Sequence, residues 1–286
     1  DIHTKRNLEL TENLRTKERT YSLLWLLDKT KTAMGSRMLK QMIENPLIDK
    51  EEIENRYDMV SKLLEEFLLK DELKELLNEV YDLERLAGRV SFGNANARDL
   101  LQLKSSLKVL PRIKEIVSIL GFNLVIDDLT DLYKFLDKSI YENPPITLKE
   151  GYLIKSGYNK ELDDLKLARS GGKDFIAKLE EKEKERTGIK NLRVGYNRVF
   201  GYYIEVSKGN SRQVKEEFGW ERKQTLANNE RFITPELKEK EQLILGAEEK
   251  IINLEYELFT NIRCKVKEVI PTIQLTAKMV AKLDVM

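Results

Sequence analysis

Two long, charge-laced helical segments are interrupted between Asn191 and Ile233 by a stretch whose residues alternate in twos. A helix repeats every 3.6 residues and a strand every two, so the interruption must be a separate small unit carried between helices. Within it Leu192, Val194 and Tyr196 alternate with Arg193, Gly195 and Asn197. Further on, Tyr202, Ile204 and Val206 alternate with Tyr203, Glu205 and Ser207. The pattern predicts a hairpin with the first set of each run packed and the second exposed. Gly209 and Asn210 supply another turn, and the chain from Phe218 toward Thr225 is expected to add a strand or an irregular segment.

The flanking helices mirror each other. The outgoing one is expected from near Asn159 to Lys190, with apolar residues at Leu162, Leu165, Ala168, Ile176 and Leu179 and none from Glu180 to Thr187. The returning one opens with Thr234 as N-cap, Pro235 at the first helical position and Glu236 in the first turn. It becomes apolar at Ile244, Ala247, Ile251, Leu254, Leu258 and Ile262. Matched gradients predict an antiparallel pair, each arm roughly 45 Å long for about 30 residues, with the alternating unit at its tip. Two unrelated surface helices joined by a loop would explain neither gradient.

The part before Asn159 reads as all-α. Leu23, Leu24, Leu26 and Leu27 form an apolar cluster, Thr32 to Gly35 marks a break, and Asp49 and Glu52 form a capping box ahead of a helix facing inward through Ile53, Tyr57, Val60 and Leu64. One helix is expected through Leu73, Leu76, Leu77, Val80 and Leu83, and another capped by Asn94 with Leu100, Leu103 and Leu107 inward. Short helices follow at Pro111–Leu120 and Leu124–Leu136, and Tyr152 to Gly157 reads as a short extended piece. The domain boundaries are accordingly 1–158 for a helical core, 159–190 for the outgoing helix, 191–233 for the β-rich insert and 234–286 for the returning helix and the end of the core.

Composition narrows the function classes. Charged residues make up 35% of the 286, yet 50 basic and 49 acidic side chains nearly cancel, so any basic surface must be local. Cys264 is the only cysteine and lies in an apolar-periodic helix, which reads as a buried, inert thiol. His3 is the only histidine and stands at the start of the chain, leaving almost no material for a His-based zinc site or a Ser-His-Asp triad. No apolar run reaches the ~18 residues of a membrane span, and the first residues lack a secretory signal's apolar centre. The chain starts at Asp1 rather than Met, which reads as a fragment of something longer. Gly171-Gly172-Lys173 imitates a phosphate loop, but Leu167 stands where the first glycine belongs and Asp174 where Ser or Thr belongs. The two glycines read instead as a bend or a close helix contact, and no constellation supports hydrolysis or group transfer.

The insert holds eight Lys or Arg against five Glu, a local surplus of +3. Arg222, Lys223, Gln224, Thr225 and Asn228 form a run of donors just before the returning helix, where amides and short polar groups suit phosphate oxygens. Tyr202, Trp220 and Phe232 read chiefly as the large side chains such a small unit needs for a core. A stacking platform for single strands is the competing reading. Little in the insert looks like a base-reading helix, so if nucleic acid binds, duplex backbone contact without sequence readout is expected.

Several motifs closely resemble the MutS family of bacterial DNA mismatch-repair proteins. They are NRVFGYYIEV (Asn197 to Val206), RKQTLANNERFITPELKEKE (Arg222 to Glu241), DIHTKRNLEL at the start, LDKTKTAMGSRML (Leu27 to Leu39), DLERLAGR (Asp82 to Arg89), SGYNKELDDL (Ser156 to Leu165) and the closing AKLDV. The resemblance covers essentially the whole chain. It implies a mainly α fold: a helical core domain, two long antiparallel lever helices and a small β-rich clamp domain inserted at their tip. It implies a clamp that grips duplex DNA backbone, with contacts expected among Arg193, Asn197, Arg198, Arg222, Lys223, Gln224, Thr225, Asn228 and Arg231. The core would transmit movement between DNA-binding and ATPase domains. For the full-length protein it implies a DNA-dependent ATPase using ATP and magnesium, a homodimer, a MutL-type repair partner and a cytoplasmic, nucleoid-associated location without a membrane. The mismatch-reading domain with its Phe-x-Glu reader and the ATPase are expected to lie outside this span, leaving no enzyme activity here. Two other readings remain open: a helical scaffold whose tip docks a protein, and a coupling module whose binding lies elsewhere.

Overall fold

The structure, a computed structural model, describes residues 2–286; Asp1, which opens the DIHTKRNLEL stretch, lies outside them. In chain order it forms α1 (Ile2–Asn7), α2 (Leu23–Leu27), α3 (Ala33–Glu44), α4 (Lys50–Glu65), α5 (Phe67–Asn78), α6 (Leu83–Ser91), α7 (Ala97–Ile119), α8 (Thr130–Ser139) and α9 (Lys160–Thr187). Then come β1 (Arg193–Asn197), β2 (Gly201–Ser207), β3 (Glu221–Thr225), β4 (Asn229–Ile233), α10 (Pro235–Glu268) and α11 (Ile270–Val285). Two compact units result. One holds the chain up to Leu148 with Leu153–Lys155 and Leu258–Met286, and the other holds Lys149–Tyr152 and Ser156–Glu257.

The first unit is helical, and its core centres on α7, where Leu100, Leu103, Leu107, Leu110, Ile113 and Ile116 are fully buried. Its cap is Asn96, two residues later than expected. The Asp99 amide donates to Asn96 Oδ1 at 2.9 Å and the Asn96 amide to Asp99 Oδ2 at 2.8 Å, a reciprocal capping box. Pro111 does not open a new helix but sits inside α7, which runs on to Ile119. An interior proline removes a hydrogen bond to the carbonyl four residues back and costs about 3 kcal/mol. The buried side chains on both sides of Pro111 outweigh that, since each large aliphatic is worth about 2–5 kcal/mol against truncation.

Other expectations shift for similar reasons. The helix expected through Leu73 to Leu83 is two helices, with Val80 in the link and Asp82 capping α6 by accepting from the Arg85 amide at 3.1 Å. On α4 the buried residue is Leu63, while Tyr57 and Leu64 are exposed. Of the Leu23–Leu27 cluster only Leu24 is buried. Thr32 is not a break but the cap of α3, accepting from the Gly35 amide at 2.9 Å. The same threonine donates its hydroxyl to Asp284 Oδ2 at 2.7 Å, and the Lys31 and Thr32 amides donate to the same carboxylate at 2.8 Å. Two stretches that lie far apart in sequence, LDKTKTAMGSRML and AKLDV, thus meet at one helix N-terminus, where a carboxylate is favoured. Leu153 and Ile154 are buried, and Ile154 bridges Ile140, as the extended reading of that piece expects.

In the second unit, Asn159 caps α9 by accepting from the Leu162 amide at 2.9 Å, and Thr234 caps α10 by accepting from the Leu237 amide at 3.1 Å. The helices run antiparallel: Lys166 pairs with Glu255 at 2.7 Å, Lys173 with Glu248 at 3.5 Å and Lys182 with Glu236 at 3.8 Å. Ala168 faces solvent rather than the partner helix. Between α9 and α10 the chain makes one antiparallel sheet of order β1-β2-β4-β3. The strand β4 was not expected as a separate strand, although its residues fall within the 191–233 insert.

Residues paired across the ladders share a face. One face carries Val194, Ile204, Val206 and Phe232 and packs on Ile176, Leu179, Leu237 and Ile244 of the helices. Burying Ile204, Val206 or Phe232 stabilises by roughly 1.5–3 kcal/mol each. Trp220, Phe218 and Tyr202 close the same core. The opposite face is not bare. Tyr203, expected exposed, is 9% exposed, because Arg231 stacks on its ring at 4.3 Å and Phe200 lies 5.5 Å away. Its cross-strand neighbour is Gly195, where an added Cβ would come within 2.7 Å of the tyrosine ring.

Helix carboxylates complete the sheet's hydrogen bonds. Val194 lies on the edge strand β1, and its amide donates to Glu180 Oε2 of α9 at 2.9 Å. Tyr202 lies on the part of β2 that β4 does not reach, and its amide donates to Glu241 Oε2 of α10 at 2.6 Å. Trp220 Nε1 donates to the buried Glu183 at 3.1 Å. Burial opposes the charged form of Glu180, but hydrogen bonds from Lys184 and the Val194 amide outweigh it and hold the carboxyl below its ordinary value.

Two outcomes are expected. Pro111→Ala should raise the thermal midpoint of the helical unit by restoring the missing donor, a gain of about 1–3 kcal/mol. A carboxyl lowered on folding adds stability above its unfolded pKa and loses it as pH falls through its folded pKa. The hydrogen-exchange protection factor of the Val194 amide should therefore drop as pH falls below the ordinary glutamate range, and Glu180→Gln should abolish that drop.

Candidate nucleic-acid interface

The candidate contacts do not form one cluster. Arg222, Lys223, Gln224 and Thr225 were expected beside the start of the returning helix, but they make up most of β3, and β4 intervenes before α10. Thr234 already caps that helix, so its first amides are not a phosphate cradle for these donors. Register separates the set further. Arg222 and Thr225 pair with Phe232 and Glu230 on the core face, whereas Gln224 and Arg193 pair with Arg231 and Glu205 on the other. A shift in register between Arg222 and Gln224 leaves Lys223 without a counterpart on β4.

The ends of the sheet differ as well. Asn197 and Arg198 lie at the β1–β2 turn, where Asn197 Oδ1 accepts from the Val199 amide at 2.7 Å. Asn228 lies in the β3–β4 turn at the opposite end, roughly 17 Å away for strands of about five residues. There its carbonyl accepts from the Lys208 amide at 2.8 Å. Asn210 and Asn191 are hydrogen-bonded beside it, and Arg193 begins β1 at this same end.

Much of the basic charge is already engaged. Arg231 pairs with Glu205 at 2.8 Å, Arg222 with Glu230 at 3.1 Å, Lys223 with Glu221 at 2.7 Å and Lys215 with Glu217 at 3.2 Å. Gln224 Oε1 accepts from Arg231 Nη1 at 3.0 Å. Among the described residues, Arg193, Arg198, Lys208 and Arg212 are the cations of the insert outside any ion pair, and all four are exposed. Lys208 and Arg212 are additions to the expected set. The Gly209-Asn210 turn between them was the signal that both sit at a sheet end.

Among the described residues, the other candidate motifs do not form a competing site. Gly171-Gly172-Lys173 lies within α9, where a Cβ on Gly172 would meet Ile244 and where Lys173 pairs with Glu248, so the segment does not fit a nucleotide. No group of His, Cys, Asp and Glu suited to a metal ion occurs among the described residues, and no helix among them is long and apolar enough to cross a membrane. Cys264 corrects an expectation: it is exposed, because it lies on the side of α10 away from the buried Ile262 and Val266.

Arg222 illustrates how the ion pairs bear on mutagenesis. Glu230 is only 6% exposed, so Arg222→Ala strands a buried carboxylate. A loss of about 1–3 kcal/mol is expected in thermal or denaturant unfolding. Adding Glu230→Gln should recover most of it; an unchanged midpoint in Arg222→Ala would show that the pair does not matter.

The comparisons with known proteins agree along the whole chain. The family described as MutS domain III matches residues 3–286. The DNA mismatch repair protein MutS of Bacillus cytotoxicus is 58% identical over 292 residues, covering 100% of this chain and 32% of the relative. The proteins of that name from Bacillus cereus and Bacillus thuringiensis are also 58% identical, with 33% of each relative covered. The chain thus spans about a third of the length of the curated relatives it matches. With its quoted motifs, its mainly helical fold and a family match that spans residues 3–286, the chain belongs to the MutS family.

Proposed function

We propose that this chain is the core and clamp part of a DNA mismatch-repair protein, and that its small sheet grips duplex DNA by the phosphate backbone without reading sequence. The observation that carries this reading is the set of exposed cations outside any ion pair, beside strands whose other arginines and lysine are paired internally. Arg193, Lys208 and Arg212, with the Asn228 turn, form the principal contact at one end, and Asn197 and Arg198 form a second at the other. Cations and short polar side chains position a protein on phosphates, whereas sequence is read by elements that enter a groove. Between Asn191 and Ile233 the only helical pieces are two three-residue turns, too short to serve as a reading helix.

In this proposal α9 and α10 act as lever helices, carrying movement between the clamp and an ATPase domain. The whole protein would be a DNA-dependent ATPase that uses ATP and magnesium. It would work in the cytoplasm as a homodimer with a MutL-type partner. The names of the relatives support the repair role.

Duplex binding by the 286-residue chain tests the reading. Affinity should be weak, equal for unrelated sequences and for a mismatched duplex, and steeply salt-dependent. Lys208→Ala and Arg212→Ala should each lower the slope of log K against log salt by about 0.9, uniformly over sequences. Salt-insensitive binding, or a loss confined to one sequence, would overturn the reading.

A further inference from the structure

Glu205 is an acidic side chain set among donors in the insert. It lies on the sheet face opposite the core, one-quarter exposed, with Arg231 Nε donating to its Oε2 at 2.8 Å. Asn229 Nδ2 donates to its other oxygen at 3.1 Å, and Arg193 is its cross-strand partner on β1. An arginine and an asparagine amide on two anionic oxygens, with a second arginine opposite in register but outside ion-pair distance, are donors of the kind a DNA phosphate would use. Arg231 is held ready by its stacking on Tyr203 and its bond to Gln224.

We propose that Glu205 is a built-in competitor for DNA phosphate, occupying the Arg231 donor site and keeping the grip of the sheet weak. The inference rests on the duplex-binding reading above and adds what sets the strength of that binding. A phosphate reaching Arg231 must displace a carboxylate that already satisfies it, so the exchange gains little. It must also approach a like charge, which repels it. Replacing the carboxylate with an amide of the same shape removes the charge and keeps one acceptor oxygen for Arg231; the new NH2 faces Asn229, whose own side-chain amide can turn its oxygen to accept from it. The phosphate then meets an arginine with no competing anion.

The test is Glu205→Gln in the 286-residue chain, titrated with a short fluorescent duplex across a salt series. Binding should tighten about three- to tenfold at low salt, with a salt slope steeper by up to about 0.9. Glu216→Gln changes net charge equally at an exposed carboxylate that pairs with no cation among the described residues. It should tighten binding far less. Arg231→Ala should matter little in the unaltered chain but should erase the gain in Glu205→Gln. Should glutamine disturb the sheet, Glu205→Thr carries the same expectation at a strand position that favours threonine. Measurable binding by the unaltered chain with no tightening in the folded variants overturns the competitor and leaves the duplex reading standing. Equal tightening by Glu216→Gln also overturns it, as an effect of bulk charge. Absence of binding by every protein overturns both readings, and binding that appears only in the Glu205 variants supports both.

Discussion

The four-stranded sheet has one apolar face and too few residues to enclose a core, so its existence depends on α9 and α10 covering that face. Ile176 and Leu179 from one helix, and Leu237 and Ile244 from the other, supply four of the nine buried residues in the hydrophobic cluster around Ile204 and Phe232. Position is then fixed by directional bonds. Glu180 and Glu241 accept from sheet amides that no strand can reach, and Lys238 donates to the Phe200 carbonyl at 2.6 Å. Apolar contact alone would let a small sheet slide, whereas amide-to-carboxylate bonds hold it in one register.

That dependence decides how the aromatic residues are used. Trp220 lies 5.6 Å from Phe218 and 5.5 Å from Phe232, its indole nitrogen donating to Glu183, so these rings fill space rather than await bases. In the proposed reading, recognition is left to charge. The surplus of the insert sits on a few exposed cations at the strand ends, while carboxylates on the strands hold the arginines and the lysine between them. If the proposed duplex grip holds, a surface built this way would owe its affinity to a small number of contacts and would be tuned by acidic neighbours as much as by basic ones.

Local signals were legible where the physics is local. Asn159 and Thr234 cap their helices because each side chain reaches an amide three residues on, and the sequence already places both oxygens there. The β1–β2 hairpin was visible in its period of two. The missed strand β4 has a reason: NERFI begins with polar residues and runs straight into a helix start, so its alternation is short and masked. Pro111 and Asn94 misled for another reason, since a buried helix can absorb an interior proline and the cap can lie two residues on, at Asn96, when the reciprocal bond is better.

By itself, then, the sequence determined the helical class, the insertion of a β-unit between two matched helices and the MutS kinship, all carried by periodicity, caps and contiguous motifs. Only the tertiary structure decided which charges are free. Arg222, Lys223 and Arg231 read as available donors until strand pairing brings Glu230, Glu221 and Glu205 beside them, and Lys208 joins Asn228 only when β2 meets β4. A charge is written in the chain, but whether it is neutralised depends on neighbours many residues away, and those are chosen by the register of the sheet.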